Sequence, residues 1–162
     1  KMKITFIQTG GTIDKDYPKT TKGYAFEFGE PATRRILEKL NPSFEYEILT
    51  ACQKDSLEIT DDDRQHLVDL IKENDSIRIV ITHGTDTMIE TAKFIFPKIK
   101  NKVIVLTGAM RPEQFSNSDA PINVGGAIAA TQTLQAGVYL FMTGILKSFD
   151  EIKRDMETGK FY

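Results

Sequence analysis

Alternating strand-like and helix-like segments predict an α/β fold, a doubly wound and mostly parallel sheet with helices on both faces, as in Rossmann and flavodoxin-like domains. Short apolar runs rich in β-branched residues lie at positions 4–8, 77–82, 103–107 and 138–142. Helical patterns lie between them, at about 31–41, 60–73, 86–96 and 122–136. Since right-handed crossovers place successive strand ends at one edge, we expect the polar residues that follow the strands to gather there.

Capping residues define the ends of these predicted helices. Pro31 suits a first helical turn, and Asn41-Pro42 ends that helix. Thr60 with Asp63 resembles a capping box, with Asp in place of the usual Glu. Asp86 is expected to be the N-cap of the helix that follows it.

Two further segments complete the prediction. Residues 44–50 alternate in polarity and predict another strand. Residues 14–30 show no periodicity and predict a long loop without secondary structure. Loops of that length are uncommon in compact domains and are usually functional or mobile.

The composition predicts a globular protein of one domain, residues 1–162, without internal repeats. A net charge of -2 gives no reason to expect binding to nucleic acid or to an anionic membrane. No apolar stretch is long enough to cross a membrane. A single cysteine, Cys52, excludes an internal disulfide framework and suits a reducing compartment, so we expect a cytoplasmic protein.

Two turns carry the chemistry. Thr9-Gly10-Gly11-Thr12 and His83-Gly84-Thr85-Asp86-Thr87 each follow a predicted strand. Glycines let a ligand approach the backbone, and a threonine hydroxyl can act as a nucleophile once a base activates it. Tyr24, Lys153, and Asp86 acting through Lys153 are the candidate activators. Taken alone, the first turn is also compatible with a purely structural role.

The remaining histidine, cysteine and glycine positions predict no further catalytic, metal or cofactor site. His83 is expected to be buried and bonded to backbone, and Cys52 to be a packed side chain. Two histidines and one cysteine show no metal-ligand spacing, so no metal site is expected. The chain has neither of the common nucleotide-binding glycine motifs, and we expect no cofactor. The Gly-Gly turn is also compatible with a phosphate or flavin site, as in many doubly wound folds.

Together with residues 105–112 and 118–123, the two turns resemble the N-terminal domain of bacterial-type L-asparaginases, the asparaginase/glutaminase family of threonine amidohydrolases. The matching segments cover most of the chain in the correct order, with Ala120 where the family usually has glycine. The resemblance implies a two-step reaction: a threonine attacks the side-chain amide, ammonia leaves, and water resolves the acyl-enzyme.

The resemblance also implies roles for individual residues. Thr12 would be the nucleophile, assisted by Tyr24, and Gly11 would contact the substrate. Ser56 would receive the substrate's α-carboxylate. The second essential threonine, the carboxylate that meets the substrate's ammonium group, and the lysine that completes a relay would be Thr85, Asp86 and Lys153.

The chain departs from the family pattern in three further ways. Leu57 stands where the family has a polar substrate-binding residue. Shifting the alignment by one residue would replace Lys153 in the relay by Arg154, a poor proton carrier. The sequence stops at Tyr162, whereas family members continue into a smaller C-terminal domain that contributes an acidic residue to a neighbouring subunit's site. We therefore expect a short, single-domain, homo-oligomeric asparaginase-like enzyme, or alternatively a weakly active or inactive module that binds amino acids or dicarboxylates.

Overall fold

A computed structural model describes residues 1–19 and 26–162 of the chain. Its strands are β1 (Lys3–Gly10), β2 (Lys15–Asp16), β3 (Glu27–Phe28), β4 (Glu45–Lys54), β5 (Arg78–Thr82), β6 (Val103–Thr107), β7 (Gly137–Met142) and β8 (Ile145–Ser148). Its α-helices are α1 (Ala32–Leu40), α2 (Asp61–Glu73), α3 (Met88–Ile95) and α4 (Ala120–Thr133).

The described residues form a six-stranded sheet with the order β4-β1-β5-β6-β7-β8. Every neighbouring pair is parallel except β7 with β8, which confirms the predicted mostly parallel sheet. The chain goes from β1 to β4 on one side and then returns to β5 on the other. The carboxyl ends of β1 and β5 therefore flank a topological switch point, where ligands bind in folds of this kind.

Helices cover both faces of the sheet, as predicted. Leu67, Val68 and Ile71 of α2 share a core with Met88, Ala92 and Ile95 of α3. On the opposite face, α1 contributes Ala32 and Leu37, and α4 contributes Ala120, Val124 and Ala127. Because the central strands are buried on both sides, their sequences are continuous apolar runs rather than alternating ones.

The helix ends confirm some capping predictions and correct others. The Thr60 Oγ1 accepts a hydrogen bond from the Asp63 amide at 3.2 Å, and Asp63 accepts one from the Thr60 amide at 2.9 Å, so the capping box is present. The prediction that Asp86 caps a helix is wrong, because α3 begins at Met88 and Thr87 holds the cap position. The last helix begins at Ala120, two residues before its predicted start, since Pro121 fits a first turn.

Residues 14–30 are predicted to form a long loop without secondary structure, but the described parts of this loop contain some. Thr12–Asp14 form a 3-10 turn, and β2 pairs with β3 in an antiparallel manner. This pairing holds both arms of the loop beside the end of β1. No helix in the described residues is both long and apolar enough to cross a membrane.

Candidate functional site

A cavity of about 220 Å³ lies beyond the carboxyl ends of β1, β4 and β5. It is lined by Gly11, Thr12, Asp55, Ser56, Leu57, Glu58, Gly84, Thr85 and Asp86. Five predicted site residues are thus brought to one cavity, namely Gly11, Thr12, Ser56, Thr85 and Asp86. A larger cavity of about 640 Å³ lies elsewhere, between α1, α4 and residues 113–118, and none of the predicted site residues lines it.

The Gly-Gly turn packs directly against the backbone of the second turn. Gly10 and Gly11 have φ angles of 103° and 84°, which L side chains rarely adopt. A Cβ on Gly11 would lie 2.5 Å from the amide nitrogen of Gly84. Glycine is therefore required here, and the close contact places the half-buried Thr12 beside Thr85 at the cavity.

Ser56 is fixed by hydrogen bonds to the second turn. Its Oγ accepts from the Asp86 amide at 3.2 Å, and its carbonyl accepts from the Thr87 hydroxyl at 2.7 Å. A Cβ on Gly84 would lie 2.7 Å from the Ser56 Cβ, so this approach also needs a glycine. These contacts leave the Ser56 hydroxyl proton free to bond a ligand oxygen, since no acceptor for it is found in the described residues.

Asp86 is paired with Arg154 rather than Lys153. The Arg154 Nη1 lies 3.2 Å from the Asp86 Oδ1. Lys153 is exposed, and its backbone N–H and C=O both bond to Tyr162 at 2.8 Å. Neighbouring side chains of an extended segment point to opposite sides, so only one of the two residues can face Asp86. Of the two alignments left open by the sequence, the structure places Arg154 beside the carboxylate.

A hook formed by residues 153–162 positions Arg154. Arg154 and Phe161 form an antiparallel bridge, and the guanidinium carbon lies 5.2 Å from the Phe161 ring centroid. The Arg154 Nε also donates to the Gly159 carbonyl at 3.1 Å. With these partners the side chain of Arg154 is only 17% exposed, whereas that of Asp86 is 56% exposed.

The remaining charges at the cavity come from the loop and the 3-10 turn after β4. Lys15 Nζ lies 2.6 Å from Asp55 Oδ1 and so joins β2 to the turn that carries Ser56. Glu58 has no ion-pair partner within the described residues. Tyr24, the predicted assistant of Thr12, lies outside the described residues.

The two residues predicted to be structural match that expectation. His83 is buried, its Nδ1 lies 2.8 Å from the Gly84 carbonyl, and its Nε2 lies 2.7 Å from the Thr91 hydroxyl. Burial lowers the pKa of His83 to about 4, so the ring is neutral near pH 7. Burial raises the pKa of the Cys52 thiol to about 11, which opposes a nucleophilic role. Within residues 1–19 and 26–162, no cluster of potential metal ligands is present.

Sequence reasoning missed the structural part played by Asp119. Its carboxylate accepts bonds from the amides of Met110 and Arg111 at 2.9 Å and 3.0 Å, and from the Asn123 side chain at 2.9 Å. Asn123 also donates to the Gly108 carbonyl at 2.9 Å. Asp119 thus ties the loop after β6 to the start of α4. The signal available in the sequence was an aspartate two residues before Pro121, since proline favours the first turn of a helix and aspartate the position before it.

This arrangement has counterparts among known proteins. The family model described as "Asparaginase, N-terminal" matches residues 3–155. The chain belongs to the asparaginase family. It is 32% identical over 153 residues to the glutaminase-asparaginase of Acinetobacter glutaminasificans, an alignment that covers 88% of the chain and 46% of that protein.

Solved structures of asparaginases superpose on nearly the whole of this chain. The thermostable L-asparaginase from Thermococcus kodakarensis superposes with a TM-score of 0.84 at 28% identity, over 99% of this chain and 51% of that one. A probable cytoplasmic L-asparaginase from Campylobacter jejuni gives a TM-score of 0.80 at 28% identity, over 99% and 52%. The chain therefore spans about half the length of the asparaginases it matches.

Proposed function

We propose that this protein is an amidohydrolase that converts a small side-chain amide, L-asparagine or a related compound, to its acid and ammonia. The observation that carries the proposal is the presence of Thr12 and Thr85 at one cavity with Ser56 and Asp86. Membership of the asparaginase family and the glutaminase-asparaginase relative support the same reaction class. No cofactor is needed for this chemistry.

In the proposed reaction Thr12 is the nucleophile. Its hydroxyl oxygen adds to the amide carbon, the C–N bond breaks, and the nitrogen leaves as ammonia with the proton from the hydroxyl. Water then attacks the resulting ester and restores the threonine. Ser56 holds the substrate, Thr85 is the second essential threonine, and Tyr24 has the activating role that the family resemblance implies. The resemblance also implies a relay role for Lys153, but Lys153 is exposed and Asp86 is paired with Arg154, so the proposal does not depend on that relay. Arginine stays protonated and is a poor base, so Arg154 is not a candidate for removing the proton.

Ammonia release tests this proposal. The purified protein would be incubated with asparagine, glutamine and other small amides, and compared with Thr12→Ala and with the Thr12→Ala, Thr85→Ala double variant. We expect release from the parent and background release from both variants. Equal release from the parent and the double variant would contradict the proposal.

A binding module is the second candidate, favoured by Leu57, an apolar side chain that is 75% exposed at the cavity. This candidate keeps the pocket without efficient turnover. It predicts that aspartate or another dicarboxylate raises the melting temperature, because ligands that bind only the native state stabilise it. Ammonia release would stay at background in the same samples.

We also propose that the protein works in the cytoplasm as a homo-oligomer, a dimer or tetramer. The name of the Campylobacter jejuni neighbour supports the compartment. The family resemblance implies active sites that form at subunit interfaces, and most soluble oligomers are symmetric assemblies of one chain. Light scattering after size exclusion measures the mass directly, and a monomer at micromolar concentration would contradict the assembly.

A further inference from the structure

Among the described residues, three carboxylates line the cavity, and two of them are paired with cations. Asp86 contacts Arg154 at 3.2 Å, and Asp55 contacts Lys15 at 2.6 Å. The third, Glu58, is exposed on the 3-10 turn. An ammonium group entering beside Asp86 would therefore meet a carboxylate that already has a cation on one of its oxygens.

Arg154 occupies this place in a preorganised way. Its Nε is held by the Gly159 carbonyl and its guanidinium lies over Phe161. Because these contacts restrict the side chain, little conformational entropy is lost in holding Asp86. A substrate ammonium would either share Asp86 with a nearby positive charge or displace an anchored one, and both are unfavourable.

Leu57 adds to this effect. Its side chain lines the cavity and offers no acceptor for an amino group. The groups that would bind a carboxylate of the ligand, in contrast, are present. Ser56 is 4% exposed and its hydroxyl proton is available at the cavity, and the Arg154 charge is close by.

We propose that the cavity prefers compounds with a carboxylate and a side-chain amide but no α-ammonium group, such as succinamate, over asparagine. This specificity rests on the proposed function and assigns Arg154 as a residue that determines it. Succinate and L-aspartate, the corresponding products, differ only in the ammonium group and are suitable binding probes, because neither can be turned over.

The test measures dissociation constants of succinate and L-aspartate by calorimetry on the parent protein. We expect succinate to bind about tenfold more tightly, which corresponds to about 1.4 kcal/mol. Aspartate binding equally well or better would overturn the inference, as would failure of both acids to bind at millimolar concentration. This comparison needs no substitution, so it decides the question even where a variant fails to fold.

Substitutions then locate the cause. Arg154→Met should free Asp86 and shift the preference toward aspartate by about tenfold. Lys160→Met removes the same charge from an exposed position of the same hook and should leave the ratio unchanged. Glu58→Gln should also leave it unchanged, and a selective loss of aspartate binding there would place an ammonium site at Glu58 and overturn the assignment.

Ammonia release separates this inference from the proposed function. Preferential succinate binding without hydrolysis of any amide would retain the specificity and reject the enzyme. Hydrolysis of asparagine with a higher kcat/KM than succinamate would retain the enzyme and reject the specificity.

Discussion

Asp14 and His83 are both buried just beyond the carboxyl ends of the paired strands β1 and β5, and burial shifts their pKa values in opposite directions. The pKa of Asp14 is raised to about 7 by desolvation, with a smaller opposing effect from the Ala32 amide, while that of His83 is lowered to about 4. Both shifts disfavour the charged form. Since one group is an acid and the other a base, their effects on stability oppose each other between about pH 4 and pH 6.5.

Asp14→Asn is predicted to increase the free energy of unfolding more at pH 8 than at pH 5. The carboxyl binds a proton in the folded state up to about pH 7 but only near its ordinary value of 3.8 when unfolded, so its contribution falls as pH rises through that window. The full pKa shift of Asp14 corresponds to about 4 kcal/mol in the free energy of unfolding. Urea denaturation at both pH values measures it, with Glu38→Gln, exposed on α1, as control. An identical effect at pH 5 and pH 8 would count against the buried carboxyl.

His83→Gln is predicted to destabilise the protein most at neutral pH and less near pH 4.5. The unfolded state binds a proton below about pH 6.5 and the folded state only near pH 4, so stability from the neutral ring is lost as pH falls through that range. The loss at pH 7 should be about 1–3 kcal/mol, because buried hydrogen bonds to Gly84 and Thr91 are broken. His66→Gln, exposed on α2, is the matched control. A cost independent of pH would contradict this interpretation.

The adjacent glycines of α4 are predicted to respond in opposite ways to alanine. A Cβ on Gly126 would lie 2.1 Å from the Phe141 ring of β7, so Gly126→Ala should cost about 1–3 kcal/mol. A Cβ on Gly125 meets nothing within 4 Å, and Gly125→Ala should stabilise the helix by up to about 1 kcal/mol. Thermal melts of the two variants measure the difference. Equal melting temperatures would mean that α4 does not pack as described.

Arg154→Met is predicted to lower kcat/KM for succinamate by about tenfold, and more than Lys153→Met does. An unpaired Asp86 would repel the substrate's carboxylate, whereas the exposed Lys153 lies on the other side of the extended segment. Steady-state ammonia release from succinamate and asparagine provides the ranking. The relay role that the family resemblance implies for Lys153 requires the reverse order.

Local sequence patterns were sufficient to predict the elements that are determined by burial or capping alone. Residues 103–107 form β6 as predicted because the strand is apolar and buried on both faces, and Thr60 caps α2 through its own neighbour Asp63. Asp86 was mispredicted because a carboxylate before a helix resembles a cap, whereas its partner Arg154 lies 68 residues away. Which of Lys153 and Arg154 faces Asp86 depends on the backbone bridge between Arg154 and Phe161. No periodicity in the sequence predicts that bridge. The edge strand β8 escaped prediction since none of its four residues is buried.

The backbone contact between Gly11 and Gly84 bears on how a mutational survey of this protein would be interpreted. Neither residue has a side chain that could react, yet any added carbon at Gly11 or Gly84 would collide with the opposite turn or with Ser56. Both positions should therefore be as intolerant of substitution as Thr12. Intolerance at this edge of the sheet would identify the residues that keep the two turns in contact as well as those that carry out chemistry, and only a kinetic assay would tell the two groups apart.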